Sequence, residues 1–139
     1  MTFRLLNSED FAQYLELINM FRPSQFTEDQ FRATVASHQR TGTEVWVYEV
    51  NDTLLATGTI LYEQKFIHNL AIYAHVEDVC VRPSHRGLGL GKRLIQHLMD
   101  VASTCHKINL NCADTLIPLY KSCGFERKGN QMSYAVQKK

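Results

Sequence analysis

Apolar positions along this chain follow two periods, and the change between them divides it. Thr2 to Leu6 is a short apolar-rich strand candidate, and Asn7-Ser-Glu-Asp10 is a turn feeding a helix, with Asn7 or Ser8 as its cap. Phe11, Tyr14, Leu15, Leu17, Ile18 and Phe21 recur at helical spacing, so that helix buries one face. Arg22-Pro-Ser-Gln interrupts it. Thr27-Glu-Asp-Gln30 has the form of a capping box and predicts a second helix, with Phe31, Val35 and His38 inward and Gly42 as its stop.

From Glu44 the period shortens to two. Val45 to Val50 and Leu54 to Tyr62 are rich in β-branched and aromatic residues around an Asn51-Asp52 turn, which predicts an antiparallel hairpin with Gly58 at a bulge or bend. Lys65 to Leu70 reads as a continuing extended segment and Ala74 to Val81 as the next strand. Leu90, Leu94, Ile95, Leu98, Val101 and Ala102 then form a helical stripe. Ile108 to Cys112 is predicted as a strand parallel to the previous one, since a helix connects them. Thr115 to Cys123 is predicted as a helix with Pro118 in its first turn and Gly124 at its end. Phe125 to Val136 is expected as a last strand or a hairpin around Gly129-Asn130. The order implies an α/β fold, a central mixed β-sheet flanked by helices on both faces, as one domain over residues 1–139.

Composition narrows the function classes. Apolar content of 45% and charged content of 21% suit a folded globular chain. A formal net charge of +1 argues against broad nucleic-acid binding. No apolar run reaches the roughly 20 residues that span a bilayer, and the N-terminus lacks the apolar core of a signal peptide. Cys80, Cys105, Cys112 and Cys123 form no Cys-x-x-Cys pair, so they are expected as reduced, small apolar residues in a cytoplasmic protein, and no metal is expected.

The chemistry concentrates between the strand ending at Val81 and the helix beginning near Leu90. Gly87, Gly89 and Gly91 let backbone amides converge on an anion without Cβ obstruction. The same amides lie at a helix N-terminus, where the peptide dipoles add about half a positive charge. Arg86, Lys92 and Arg93 add full charges, so a pyrophosphate fits. A Walker loop is excluded because Arg93 stands where a magnesium-binding hydroxyl is needed, and the spacing is not that of a dinucleotide fold. Glu77 and Asp78 are adjacent and in a regular strand point to opposite faces; a bulge there brings both to one site.

Arg86-Gly-Leu-Gly-Leu-Gly91 after a Val-Cys-Val strand resembles the pyrophosphate signature of the GNAT superfamily of N-acetyltransferases. Leu119-Tyr-Lys-Ser-Cys-Gly-Phe125 is similar to its downstream Leu-Tyr-x-x-x-Gly-Phe motif. Within it, Lys65-Phe-Ile-His68 followed by His75-Val-Glu-Asp-Val79 resembles the glucosamine-6-phosphate N-acetyltransferases, from about Trp46 to Phe125. The resemblance implies acetyl transfer from acetyl-CoA to an amino-sugar phosphate by direct attack, in a cytoplasmic homodimer supplying UDP-N-acetylglucosamine synthesis. Acetyl-CoA is then expected on Val79, Cys80, Val81, Arg86, Gly87, Leu88, Gly89, Leu90, Gly91, Lys92, Asn111 and Tyr120. Tyr120 is the expected acid for the leaving thiolate, and Glu77 and Asp78 face the amine. Arg22, Lys65, Phe66, Ile67, His68, His106 and Lys107 are the remaining expected acceptor residues.

Three positions depart from the pattern. Phe21 stands where a threonine is expected, Asn111 where an acid is, and Ala135 where a phosphate-binding arginine is. Asn111 keeps a hydrogen bond but cannot be a base. Arg22, Lys138 or Lys139 are the cations available to replace the arginine. An acetyltransferase for another amine, such as a polyamine or a peptide N-terminus, and a non-catalytic CoA-binding module stay open as alternatives.

Overall fold

The computed structural model describes residues 2–137; Lys138 and Lys139 lie outside the described residues. The elements run β1 (Thr2–Leu5), α1 (Phe11–Phe21), α2 (Glu28–Thr41), β2 (Glu44–Val50), β3 (Thr53–Gln64), α3 (Ile67–Leu70), β4 (Ile72–Val81), α4 (Leu90–Val101), β5 (Lys107–Leu110) and α5 (Ile117–Ser122). The strands lie in chain order in a five-stranded sheet, antiparallel except for β4 and β5, which are parallel. A helix must carry the chain back to start β5, and α4 does so.

Two clusters cover the two sheet faces. On one, Leu90, Leu94 and Leu98 of α4 pack on Ala56, Ile60, Ala74 and Val76. On the other, Tyr14 and Leu17 of α1 and Phe31 and Val35 of α2 pack on Val45, Val47, Leu54 and Cys80. The helical stripes read from the sequence are thus the buried stripes. Thr27 forms its capping box with Gln30, the hydroxyl accepting from the Gln30 N–H at 3.1 Å and the Gln30 side chain accepting from the Thr27 N–H at 2.9 Å. Asn51 and Asp52 both take positive φ, as a two-residue hairpin turn requires. The Leu54 N–H donates to Gln13 Oε1 at 2.7 Å, which pins that hairpin to α1.

Four local expectations are corrected. Neither Asn7 nor Ser8 caps α1: Asn7 Oδ1 accepts from the Glu9 N–H, closing a turn one step earlier, and Asp10 holds the cap position. The Asp10 carboxylate is engaged instead by Arg4, whose guanidinium also reaches Glu49, at 2.8 and 3.0 Å. The last helix begins at Ile117 after a 3₁₀ turn over Asp114–Leu116. Lys65 to Leu70 is not extended, because His68, Asn69 and Leu70 are wound left-handed with φ of 52, 58 and 63°. Such winding costs about 1–2 kcal/mol per residue, so tertiary contacts must hold it. Phe125 to Val136 forms neither a strand nor a hairpin. A strand needs an edge to pair with, and among the described residues this segment pairs with none. Met132, Tyr134 and Val136, alternating as a strand would, are 93, 87 and 81% exposed.

Candidate active site

The site is built where β4 parts from β5. Pairing between them runs from Tyr73 with Lys107 to Val76 with Leu110 and stops, while β4 continues to Val81. On its other side β4 stays paired with β3 as far as Val81. Residues 77–81 therefore have no strand partner on the gap side, where the alternate backbone groups facing it can receive an extended ligand as an added strand. The glycine turn closes one end of this gap. Gly87 and Gly89 have φ of 79 and 78°, which a side chain rarely adopts. Gly89 is the N-cap of α4, and the first helical bond is from the Arg93 N–H to the Gly89 carbonyl at 3.1 Å. The N–H groups of Leu90, Gly91 and Lys92 are left free for an anion. A Cβ on Gly91 would meet Val81 Cγ2 at 3.6 Å, so the helix start lies against the end of β4. Arg86 Nε donates to the Val81 carbonyl at 3.3 Å. Arg93 turns away, its guanidinium 5.4 Å from the Tyr48 ring centre.

The two carboxylates stand on a bulge. Thr59 pairs with Glu77 and Thr57 with Cys80, so Asp78 and Val79 together oppose Gly58. Asp78 takes φ of 51°, a conformation that Asp tolerates better than most side chains. The extra residue reverses the strand's parity. Ala74 and Val76 face the α4 cluster before it, and Val79 and Val81 pack against that same cluster after it. Glu77, half-buried, shares its face with Tyr73 and His75, while Asp78 is exposed at the turn of the bulge. The bulge anticipated at the acid pair is present, with its extra residue on β4 opposite Gly58.

Tyr120 is buried on α5, edge-on to Phe125 at 5.9 Å. Burial pushes its phenol above the ordinary value, with the Cys112 and Cys123 thiols adding to the effect. It therefore stays protonated at neutral pH. Tyr120, Asn111, His106 and Lys107 line one cleft of about 630 Å³ beside β5. At Cys80, between the acids and the glycine turn, burial pushes the thiol up to about 11, with Arg86 opposing and Asp78 adding, which disfavours the thiolate.

At the far end of β4 the structure gathers four residues that the sequence singled out separately. His68 stacks on His106 with ring centres 4.6 Å apart, and His106 on Tyr73 at 5.6 Å. The Lys65 and Lys107 ammonium groups lie 5.0 and 5.5 Å from the centre of that same Tyr73 ring. Glu63, paired with Tyr73 across the sheet, holds Lys65 and His75, each at 2.9 Å. Phe66 and Ile67 project from the left-handed turn, 92 and 58% exposed. Arg22 ends α1 with its guanidinium over the Phe21 ring at 5.3 Å, and no ion pair among the described residues joins it to the cluster. Neither Tyr73 nor Glu63 drew attention in the sequence. The signal available was parity: Tyr73, His75 and Glu77 alternate along one face of β4.

The comparisons with known proteins agree with this geometry. The model of the acetyltransferase (GNAT) family matches residues 11–125. The chain is 33% identical over 139 residues to glucosamine 6-phosphate N-acetyltransferase 1 of Dictyostelium discoideum, covering 95% of this chain and 88% of that one. It is 37% identical over 126 residues to the protein of the same name from Oryza sativa subsp. japonica, covering 86% and 76%. The crystal structure of glucosamine-6-phosphate N-acetyltransferase from Arabidopsis thaliana superposes with a TM-score of 0.93 at 28% identity over 98% of each chain. With a parted β4, a glycine turn opening α4 and a tyrosine on α5, the chain belongs to the acetyltransferase (GNAT) family.

Proposed function

We propose that this acetyltransferase acts on the amine of glucosamine 6-phosphate, with acetyl-CoA as donor. The observation that carries the reading is the single face of β4, with Glu77 at one end, Asp78 next to it on the bulge, and the Lys65, His68, His106 and Lys107 cluster at the other. Tyr73 and Glu77 are four residues apart on that face, about 13 Å along a strand. That span suits an acceptor with an amine at one end and a phosphate at the other. The relatives named for glucosamine 6-phosphate support the same acceptor.

The residues present fit acetyl-CoA. The free edge of 77–81 suits a pantetheine arm, and the amides of Leu90, Gly91 and Lys92, with Arg86, suit its pyrophosphate. Acetyl-CoA supplies an acetyl group already activated as a thioester. A backbone N–H near Val79 or Cys80 polarises the thioester carbonyl on this reading, an effect worth about 3–4 kcal/mol where such donors have been removed. Glu77 or Asp78 takes a proton from the substrate ammonium, leaving a lone pair to form the N–C bond. As the C–S bond breaks, Tyr120 gives its proton to the departing thiolate, and the second proton shed by the acylated nitrogen restores the phenol. The transfer on this reading is direct, from thioester to amine, with no acyl-enzyme formed.

We further place the reaction in the cytoplasm, in UDP-N-acetylglucosamine synthesis, and in a homodimer. The outer edge of β5, unpaired among the described residues, and the exposed alternation of Met132, Tyr134 and Val136 support exchange of the C-terminal segment between two copies. Light scattering of the purified chain that gives only monomer mass at micromolar concentration removes this part of the reading.

Acetyl transfer measured on glucosamine 6-phosphate, glucosamine and peptide amines tests the acceptor. A marked preference for the phosphorylated sugar is expected, and equal rates with and without the phosphate overturn it. Phe21, Asn111 and Ala135, where the pattern of the sugar-phosphate enzymes is not kept, favour an acetyltransferase for another amine as the second reading.

A further inference from the structure

The acceptor-end cluster has an unusual centre. Two lysine ammonium groups and one imidazole lie against a single ring, Tyr73, which is only 9% exposed. Lys107 is its partner across the parallel β4–β5 register, Lys65 comes from the turn after β3, and His106 precedes β5. The left-handed turn brings His68 onto His106, which extends the stack. Cations drawn this close repel one another, and among the described residues only Glu63 answers them with an ion pair, to Lys65. The negative π faces of the ring supply the remaining attraction and fix how far from the strand each ammonium sits.

We propose that Tyr73 is a positioning residue, whose ring holds Lys65, Lys107 and His106 in the arrangement that receives the acceptor's phosphate. It thereby sets the preference for a phosphorylated over an unphosphorylated amine. The inference rests on the reading that the acceptor carries a phosphate at this end, and adds to it the group that organises the cations. The ring carries the role. The hydroxyl makes no hydrogen bond among the described residues, so Tyr73→Phe retains the function, whereas Tyr73→Leu keeps an apolar side chain and loses the π faces.

The test compares wild type, Tyr73→Phe and Tyr73→Leu, with Tyr73→Met in place of the leucine variant should that one fail to fold. Tyr73→Leu is expected to raise the KM for glucosamine 6-phosphate about tenfold, roughly what two weakened cation–π contacts imply. KM for acetyl-CoA, KM for unphosphorylated glucosamine and kcat at saturation stay within about twofold, and Tyr73→Phe stays close to wild type. An unchanged KM in the leucine variant overturns the proposal. So does a parallel rise in all three KM values, or an equal loss in the phenylalanine variant. A second arm titrates inorganic phosphate into each protein and follows the His68 and His106 ring signals by NMR, expecting binding about tenfold weaker without the ring. Should wild type not acetylate glucosamine 6-phosphate, the acceptor reading falls while this arm still judges Tyr73. Equal phosphate affinity in all variants overturns the positioning role whatever the acceptor is.

Discussion

On the proposed reading, Tyr120 and Asp78 each act through a local property that a single substitution isolates. The Tyr120 phenol is buried and held protonated above its ordinary value, which is what a proton donor at neutral pH needs. Tyr120→Phe keeps the ring and its packing on Phe125 but removes the proton, so kcat should fall about 100-fold or more with KM for acetyl-CoA little changed. In wild type the alkaline loss of kcat from this phenol should lie above the ordinary tyrosine range, because burial raises it. A phenylalanine variant within threefold of wild type would remove Tyr120 from the chemistry. Asp78 combines a charge with a left-handed backbone. Asn also adopts that conformation, so Asp78→Asn should leave the melting temperature within about 2 °C and still depress kcat, separating the carboxylate from the bulge.

Among the elements, the β3–β4 pair decides most. Gly58 faces the bulge, and a Cβ there would lie 2.8 Å from Leu98 Cδ1, with Val79 Cγ2 at 3.5 Å and Leu94 Cδ2 at 3.7 Å. Leu94 and Leu98 are fully buried, so neither has space to retreat. Gly58→Ala should therefore destabilise by about 1–3 kcal/mol in denaturant unfolding, by pushing α4 off the sheet next to the parted strands. Stability equal to wild type would mean that α4 shifts without cost. The glycine here provides close approach of helix to sheet, unlike Gly87 and Gly89, which provide a positive φ.

For the whole molecule, stability toward acid should depend on how β1 is tied down. Burial pushes the Asp10 carboxyl up, but the Arg4 guanidinium and the Asn7 N–H more than offset this and leave it below the carboxylate range. The hydrogen bond from Arg4 likewise lowers Glu49. Groups held low in the folded state stabilise above the unfolded carboxylate pKa of about 4 and lose that contribution as pH falls through the folded value. Unfolding free energy should therefore decline below about pH 4, and Arg4→Met should make that decline shallower. An identical acid slope in the variant would show that the tie between β1, the start of α1 and β2 contributes nothing to it.

The sequence by itself determined the glycine turn, the helical stripes, the capping box and the parallel β5, because each rests on short-range geometry or on a connection too long for a hairpin. It also marked Lys65, His68, His106 and Lys107, but one at a time, since residues forty positions apart have no visible relation along a chain. Three things were decided only by tertiary structure. The left-handed turn at His68–Leu70 opposes local preference and is held by stacking of His68 on Tyr73 and on His106. The bulge depends on the register between β3 and β4, in which two residues oppose Gly58. The segment after Phe125 has the alternation of a strand and no pairing edge among the described residues, because pairing depends on a neighbour that the pattern cannot supply. Parity along β4 up to the bulge is what turns Glu77 and the distant Lys65–Lys107 cluster into two ends of one face.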